Sequence, residues 1–226
     1  MKEEINKIQT ALLNHLHDDL KIKHPNFVKK LEEGTPENFY NFQEAKNLLD
    51  KPIEPWTELL SSLLDFELGY DFLKLTVEKI STTENDRELH FHTRTYSIYL
   101  HATLERLEHF IKKMQRKKVI TGVEPILEFI SEAIQNPGLM QERHTAAHGR
   151  FSGTKKPIAG VQTEYYWEPL AVIRLDESDL DGWHQSHGNN REHFVTSTKS
   201  EFDDFSISLR NILLNTNDLL TKVSKS

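Results

Sequence analysis

The sequence predicts an all-α protein, an antiparallel helical bundle, from three observations. Apolar residues recur every three to four positions through most of the chain, which is the spacing of one buried helix face. Proline and glycine fall largely between these periodic segments, where they end helices. The mixture of aromatic and β-branched residues that is typical of strands occurs at residues 165–175 alone. Hydrophobic residues make up 37% of the 226 positions, which is enough for a buried core.

The N-terminal residues 1–50 predict a helical extension that packs on the bundle. Apolar residues over 3–22 share one helix face, and the step His24-Pro25 ends that helix. These apolar residues are Ile5, Ile8, Leu12, Leu16 and Leu20. Residues 27–50 are less regular and predict short helical pieces, whereas the two prolines within 51–55 predict a rigid connector.

Two long helices, at residues 56–80 and 86–118, are predicted to begin the bundle. The apolar residues of the first alternate in steps of four and three, as expected for a helix packed against neighbours, and those of the second form one apolar row at helical spacing. Shorter helices are predicted over 124–148, with a break at Asn136-Pro137-Gly138. The periodicity resumes over 201–222, which predicts a closing helix.

An insertion at residues 149–196 interrupts this predicted bundle of residues 56–222. Glycine, proline and histidine are scattered through the insertion, so we expect a long loop or a small β-hairpin at 165–175. Loops of this length usually carry function. The sequence does not define a role for this one.

Charge and cysteine content exclude several classes of function. Because 35 acidic residues against 28 basic ones give a formal net charge of −7, any contact with RNA must be local. Residues 112–118 are the densest basic run, and the simplest interpretation is a solvated helix end. The absence of cysteine excludes disulfides, thiolate metal sites and cysteine nucleophiles. The charged start and the lack of a long apolar stretch predict a cytoplasmic protein that does not enter a membrane.

Residues 142–150 form the strongest candidate site. The run Glu-Arg-His-Thr-Ala-Ala-His-Gly-Arg joins a strong cation, Arg143, to two imidazoles, His144 and His148, just before Gly149. On a helix the two histidines lie one turn apart on one face, and the small residues between them let a large ligand approach. This pattern fits either an arginine and a histidine acting on a phosphodiester, or half of a metal site.

The order Arg143, His144, three further residues, His148 and Gly149 resembles the signature of the HEPN superfamily. That signature is an arginine followed by a polar Asn, Asp or His, with four to six residues between the arginine and a histidine. The resemblance implies a HEPN-type bundle, commonly dimeric, in which the motif ends a helix. Many members are metal-independent ribonucleases of toxin and antiviral systems. The resemblance therefore implies RNA as substrate, no cofactor or metal, a homodimer and a possible antitoxin protein as partner.

The chemistry of RNA cleavage suits these residue types. An imidazole exchanges protons near neutral pH, so His148 is the candidate general base and acid. Arg143 offers a permanently charged fork to phosphate oxygens as negative charge builds in the transition state. His144 is expected to hold the arginine or to touch the phosphate. The products would be a 2′,3′-cyclic phosphate and a 5′-hydroxyl.

Arg94, His101 and Glu105 are candidate supporting residues. They lie on one polar face of the predicted helix 86–118, beside its apolar row. Such a face is most simply explained as solvated surface. It would also be suited to orient the imidazole or the guanidinium of the motif.

Two other functions remain open from the sequence. In a metal-dependent bundle enzyme, somewhat similar to the DinB-like family, His144 and His148 would bind an ion with a third ligand from His90, His92 or His101. No acidic partner follows the helix motif as that family would require. In a non-catalytic HEPN module, the bundle would bind RNA or another protein without chemistry.

Overall fold

The computed structural model describes residues 1–32, 54–135 and 177–223 of the chain. All regular secondary structure in these residues is helical, which confirms the predicted all-α class. The helices are α1 (Lys2–Lys23), α2 (Pro25–Glu32), α3 (Glu54–Thr82), α4 (Asp86–Arg116), α5 (Glu124–Ile134) and α6 (Glu177–Val223). None of these helices combines the length and the apolar character needed to cross a membrane.

The long helices agree with the predicted boundaries because their periodicity is strong. α1 ends before Pro25, and the backbone N–H of His24 still donates to the carbonyl of Leu20 at 2.7 Å. α3 begins slightly earlier than predicted, since Glu54 and Pro55 already belong to its first turn, where proline is tolerated. The expected rigid connector is therefore helical at its last two residues.

The prediction of irregular structure up to residue 196 is wrong for residues 177–196, which belong to α6. Gly182 and Gly188 lie inside this helix, although each glycine weakens a helix by about 1 kcal/mol relative to alanine. Packing compensates further along, where Phe194 and Thr198 are buried. The hairpin expected at 165–175 lies outside the described residues.

The chain divides into two compact units. The first unit contains Met1–Leu68, Arg106–Phe129 and Leu209–Ser226. The second contains Gly69–Glu105 and Ile130–Ser208.

In the first unit, α1 is held by polar contacts with α3 and α6. The ring of Trp56 stacks on that of His15, with centroids 6.1 Å apart, and its Nε1 donates to Asp19 Oδ2 at 3.4 Å. His15 Nε2 also lies 3.4 Å from the carbonyl oxygen of Leu220. The apolar row of α1 is buried as predicted, except that Leu16 is half-buried; the buried members are Ile5, Ile8, Leu12 and Leu20.

Two polar contacts mark the antiparallel register of α3 and α4 in the first unit. Lys113 Nζ donates to Ser62 Oγ at 2.8 Å, and Lys117 Nζ lies 2.7 Å from Glu58 Oε2. The residues advance by one turn on each helix in opposite directions. Two lysines of the basic run, Lys113 and Lys117, therefore contact α3 and are not simply a solvated helix end.

In the second unit, the described core is apolar and joins α3, α4 and α6. Its buried members are Leu73, Val77, Ile80, Leu89, Tyr96, Phe194 and Phe202. Tyr70 stacks on Phe202 and donates its hydroxyl to Ser206 Oγ at 3.2 Å. Arg191 donates to the carbonyl oxygens of Thr83 and Glu84, so it caps the end of α3.

The C-terminus of α4 is closed by a Schellman motif. The N–H of Val119 donates to the carbonyl of Met114 at 2.9 Å, and the N–H of Lys118 donates to that of Gln115 at 2.9 Å. Lys118 has a φ of +57°, the left-handed conformation that this motif requires and that glycine usually supplies. Val119 and Met114 are both buried, as the motif's apolar contact demands.

Candidate functional site

The motif residues Arg143, His144 and His148 lie outside the described residues. Of the predicted site, the structure describes the supporting residues Arg94 and His101 with Glu105, all on α4. All three belong to the second unit. The described part of the predicted site therefore lies along a single helix.

His101 is the most unusual polar residue in the described part of the second unit. Its side chain is only 1% exposed, and neither ring nitrogen has a hydrogen-bond partner among the described residues. Leaving a buried polar group without a partner costs roughly 1–3 kcal/mol. Most buried polar atoms avoid this cost, so His101 requires an explanation beyond packing.

Glu105 lies one turn beyond His101 and is its nearest described charge. Oε2 of Glu105 is 3.3 Å from Nδ1 of His101, but the angle does not suit a hydrogen bond. The carboxylate is 48% exposed while the imidazole is covered, so the ring lies inward of its acidic neighbour. A small rotation of either side chain would let the carboxylate accept a hydrogen bond from Nδ1 and so fix the tautomer of the ring.

Arg94 occupies the same face of α4, seven residues before His101. The Arg94 side chain as a whole is half-buried, and its Nη2 atom is fully buried. Both Arg94 and Glu105 take part in further interactions. Ser97, between Arg94 and His101, is buried as well. The prediction that these residues share one face is confirmed by the helix, and the inward position of His101 was not expected from the sequence.

No group of three or more His, Asp or Glu side chains that could hold a metal occurs in the parts of the chain that the structure describes. The metal hypothesis drew its third ligand from His90, His92 or His101. The His90 side chain lies outside the description, and His92 is half-buried with its ring edge-on to Phe91.

Glu201 on α6 is a titratable residue of the second unit that the sequence did not single out. Partial burial raises the pKa of its carboxyl group to about 7. No ion pair or hydrogen bond of this carboxyl group occurs among residues 1–32, 54–135 and 177–223. The only signal in the sequence was the presence of Phe202 and Phe205 one and four residues after it, in an otherwise polar stretch.

Comparison of the chain with protein-family profiles, curated proteins and solved structures gives no match. The likeness to the HEPN superfamily thus rests on the residues of the motif and on the helical class.

Proposed function

We propose that this protein is a metal-independent endoribonuclease of the HEPN type, serving a bacterial toxin–antitoxin or antiviral system. The observation that carries the proposal is the sequence run from Arg143 to Gly149, in which an arginine, a polar residue and a histidine keep the HEPN order. The all-α class of the described residues supports it, since HEPN proteins are helical.

The proposed reaction is a transesterification within the RNA chain. His148 takes the proton from a ribose 2′-hydroxyl, whose oxygen attacks the adjacent phosphorus while the bond to the 5′-oxygen breaks. The leaving 5′-oxygen receives a proton, and the products are a 2′,3′-cyclic phosphate and a 5′-hydroxyl. Arg143 stabilises the charge that builds on the phosphate oxygens through its two-pronged donor geometry.

A two-fold dimer is part of the proposal. Two copies of the motif meeting at the axis would gather two arginines and two histidines, giving one imidazole to accept a proton and another to donate one. This arrangement would also supply the positive field that a chain of formal net charge −7 lacks as a whole.

His101 supports the proposal as a positioning residue. A buried imidazole whose two nitrogens have no hydrogen-bond partner among the described residues, next to the half-exposed carboxylate of Glu105, is a costly arrangement that an apolar residue would avoid. A buried polar group of this kind calls for an explanation, and a functional role is one such explanation. We propose that His101 and Glu105 orient the groups of the motif.

A ribonuclease assay tests the proposal. Wild type and His148→Ala are incubated with single-stranded RNA, with and without a chelator, and the ends of the fragments are identified. His17→Ala is the matched control, because this histidine is 47% exposed on α1 and removed from the motif in sequence. We expect cleavage by wild type and His17→Ala, resistance to the chelator, and cyclic phosphate ends.

Loss of cleavage on chelation, or equal cleavage by His148→Ala and wild type, would overturn the proposal. Absence of any cleavage by a folded, dimeric wild-type protein would favour the non-catalytic binding module.

A further inference from the structure

A basic stripe, His109, Lys112, Lys113 and Arg116, runs along the C-terminal turns of α4. These residues follow at steps of three, one and three, so they share one helix face. The stripe is about 10 Å long, from seven residues at 1.5 Å each. All four residues belong to the first unit.

The charges of the stripe are neutralised only in part. Lys112 Nζ forms an ion pair with Glu108 Oε1 at 2.8 Å. Lys113 instead donates to a neutral acceptor, Ser62 Oγ, at 2.8 Å, and Arg116 donates its Nε to the carbonyl of Lys112 at 3.4 Å. Neither Lys113 nor Arg116 has an ion pair with a carboxylate in the described part of the chain. These two cations therefore have no described carboxylate within ion-pair distance, although Glu58, whose pKa is lowered chiefly by Lys117, also interacts with both at longer range.

His109 responds to the field of these two cations. Its pKa is lowered, first by partial burial of the ring and then by Lys113 and Arg116, which outweigh the opposing effects of Asp65 and Glu108. The ring is therefore neutral near pH 7. The neutral ring can donate or accept a hydrogen bond at one end of the basic stripe.

The stripe is accessible and partly preorganised. His109 and Arg116 are exposed, and Lys112 is 47% exposed. Lys113 is half-buried and held by Ser62, so its ammonium group loses less conformational entropy on meeting an anion than a free lysine does. The large apolar residues beside the stripe on α4 are all buried; they are Leu107, Phe110, Ile111 and Met114.

We propose that the basic stripe binds the phosphodiester backbone of single-stranded RNA, an inference that rests on the proposed ribonuclease function. A row of cations complements a row of phosphates, and Arg116 presents a planar fork to phosphate oxygens. An acidic protein partner fits less well, because the core of a protein interface requires exposed apolar side chains and the described stripe has none. The net negative charge of the chain disfavours non-specific binding of RNA, so the contacts that hold RNA must be local basic groups such as these.

The test is a salt series of RNA binding, followed by fluorescence anisotropy with a labelled single-stranded oligoribonucleotide. All proteins carry His148→Ala so that the RNA stays intact. The test variant is Lys113→Gln with Arg116→Gln, in which both positive charges are removed and each residue keeps a polar donor. The matched control, Lys7→Gln with Lys23→Gln, removes the same charge from ion-paired lysines of α1. Circular dichroism verifies that both variants are folded.

Removing one cation that binds a phosphate should reduce the slope of log affinity against log salt by about 0.7, so the double variant should reduce it by about 1.4. The control should keep the wild-type slope. Equal slopes in test and control, or no RNA binding at all, would overturn the inference. Binding of poly-glutamate provides a further test. If the double variant weakens poly-glutamate binding and leaves RNA binding unchanged, the inference is overturned in favour of an acidic protein partner.

The cleavage assay separates this inference from the proposed function. If RNA is bound with the expected change of slope but is never cut, the stripe is upheld and the ribonuclease proposal fails. If RNA is cut and the slope is the same in test and control, the ribonuclease is upheld and the stripe is not its RNA contact.

Discussion

Arg210 on α6 and Glu4 on α1 form an ion pair across 206 positions of sequence, with Nε of the guanidinium 2.7 Å from Oε1 of the carboxylate. Glu4 is 2% exposed, and its Oε2 lies 2.7 Å from the amino group of Met1. That amino group, followed by Arg210, outweighs the opposing effect of burial and lowers the pKa of Glu4 to about 2. The carboxylate is therefore charged and covered at the same time.

Arg210→Gln is expected to lower the free energy of unfolding at neutral pH by about 1–2 kcal/mol, since a covered charge loses a hydrogen bond. The contribution of Glu4 is fully present above its unfolded pKa of 4.5 and is lost as the pH falls through about 2. Acid titration followed by circular dichroism should show Arg210→Gln unfolding at a higher pH than wild type. Lys7→Gln, which breaks an exposed pair on α1, should move that midpoint less. Equal shifts in the two variants would contradict this account.

Glu201 predicts the opposite dependence on pH. Its pKa is raised to about 7 in the folded protein, so folding favours the protonated carboxyl group. The stability that this provides is fully present below the unfolded value of 4.5 and is lost as the pH rises through about 7. Glu201→Gln should therefore match wild type at low pH and melt at a higher temperature above pH 7. Thermal unfolding at several pH values measures the difference, and a gap that does not grow with pH would refute the assignment.

Lys118 predicts a stabilising substitution. Because it holds a left-handed conformation that costs a residue with a Cβ roughly 1 kcal/mol, Lys118→Gly should raise the free energy of unfolding by about that amount. Lys117→Gly, one position earlier and engaged with Glu58, should lower it. Urea unfolding measures both variants, and a destabilised Lys118→Gly would mean that the Schellman motif does not end α4 in solution.

A substitution of His101 is expected to affect RNA cleavage without lowering stability. Replacing a buried imidazole that has no hydrogen bonds among the described residues by leucine should leave the midpoint of urea unfolding unchanged or raise it. RNA cleavage should nevertheless slow at least several-fold and its pH profile should change, because the proposed role is to orient the motif. Unchanged cleavage and an unchanged pH profile in a folded His101→Leu protein would leave the residue without a positioning role.

His144 separates the ribonuclease from the metal enzyme. Asparagine is a common occupant of this position in the HEPN superfamily, so His144→Asn should still cleave RNA, and a chelator should not stop it. Arg143→Lys should lower the rate by about 10²-fold, because an ammonium group cannot reproduce the two-pronged contact with phosphate. A His144→Asn protein that is inactive and has lost a bound metal would overturn the ribonuclease proposal.

The long helices were predictable from the sequence because their apolar residues recur with helical periodicity. α1, α3 and α4 each repeat apolar residues through many turns, and their bounds agree with the prediction to within a few residues. The start of α6 was missed because Gly182 and Gly188 lower the helix propensity of its first part. The buried residue Phe194 packs in the apolar core of the second unit, and this packing compensates for the low helix propensity. Helix propensity does not report such tertiary packing.

The shared helix face of the three candidate supporting residues was predictable from the sequence, whereas the burial of His101 was not. Helical spacing alone places Arg94, His101 and Glu105 on one face of α4, as found. Whether a residue on that face is covered depends on which side chains from elsewhere lie over it, so the burial of His101 could not be read from its own neighbours. The same reason applies to Glu201, whose pKa is raised by burial alone. The motif at Arg143 and His148 stays a prediction.

The contacts of α1 have a consequence for the order of events during synthesis. His15 meets the carbonyl of Leu220, and Glu4 meets Arg210, across more than 200 residues that the ribosome must still add. Until then, α1 lacks its partner α6. Bringing the two helices together closes a long loop, which costs conformational entropy and therefore slows folding. A nascent chain of this kind leaves part of an amphipathic helix uncovered until α6 is made, which is the form of surface that chaperones bind.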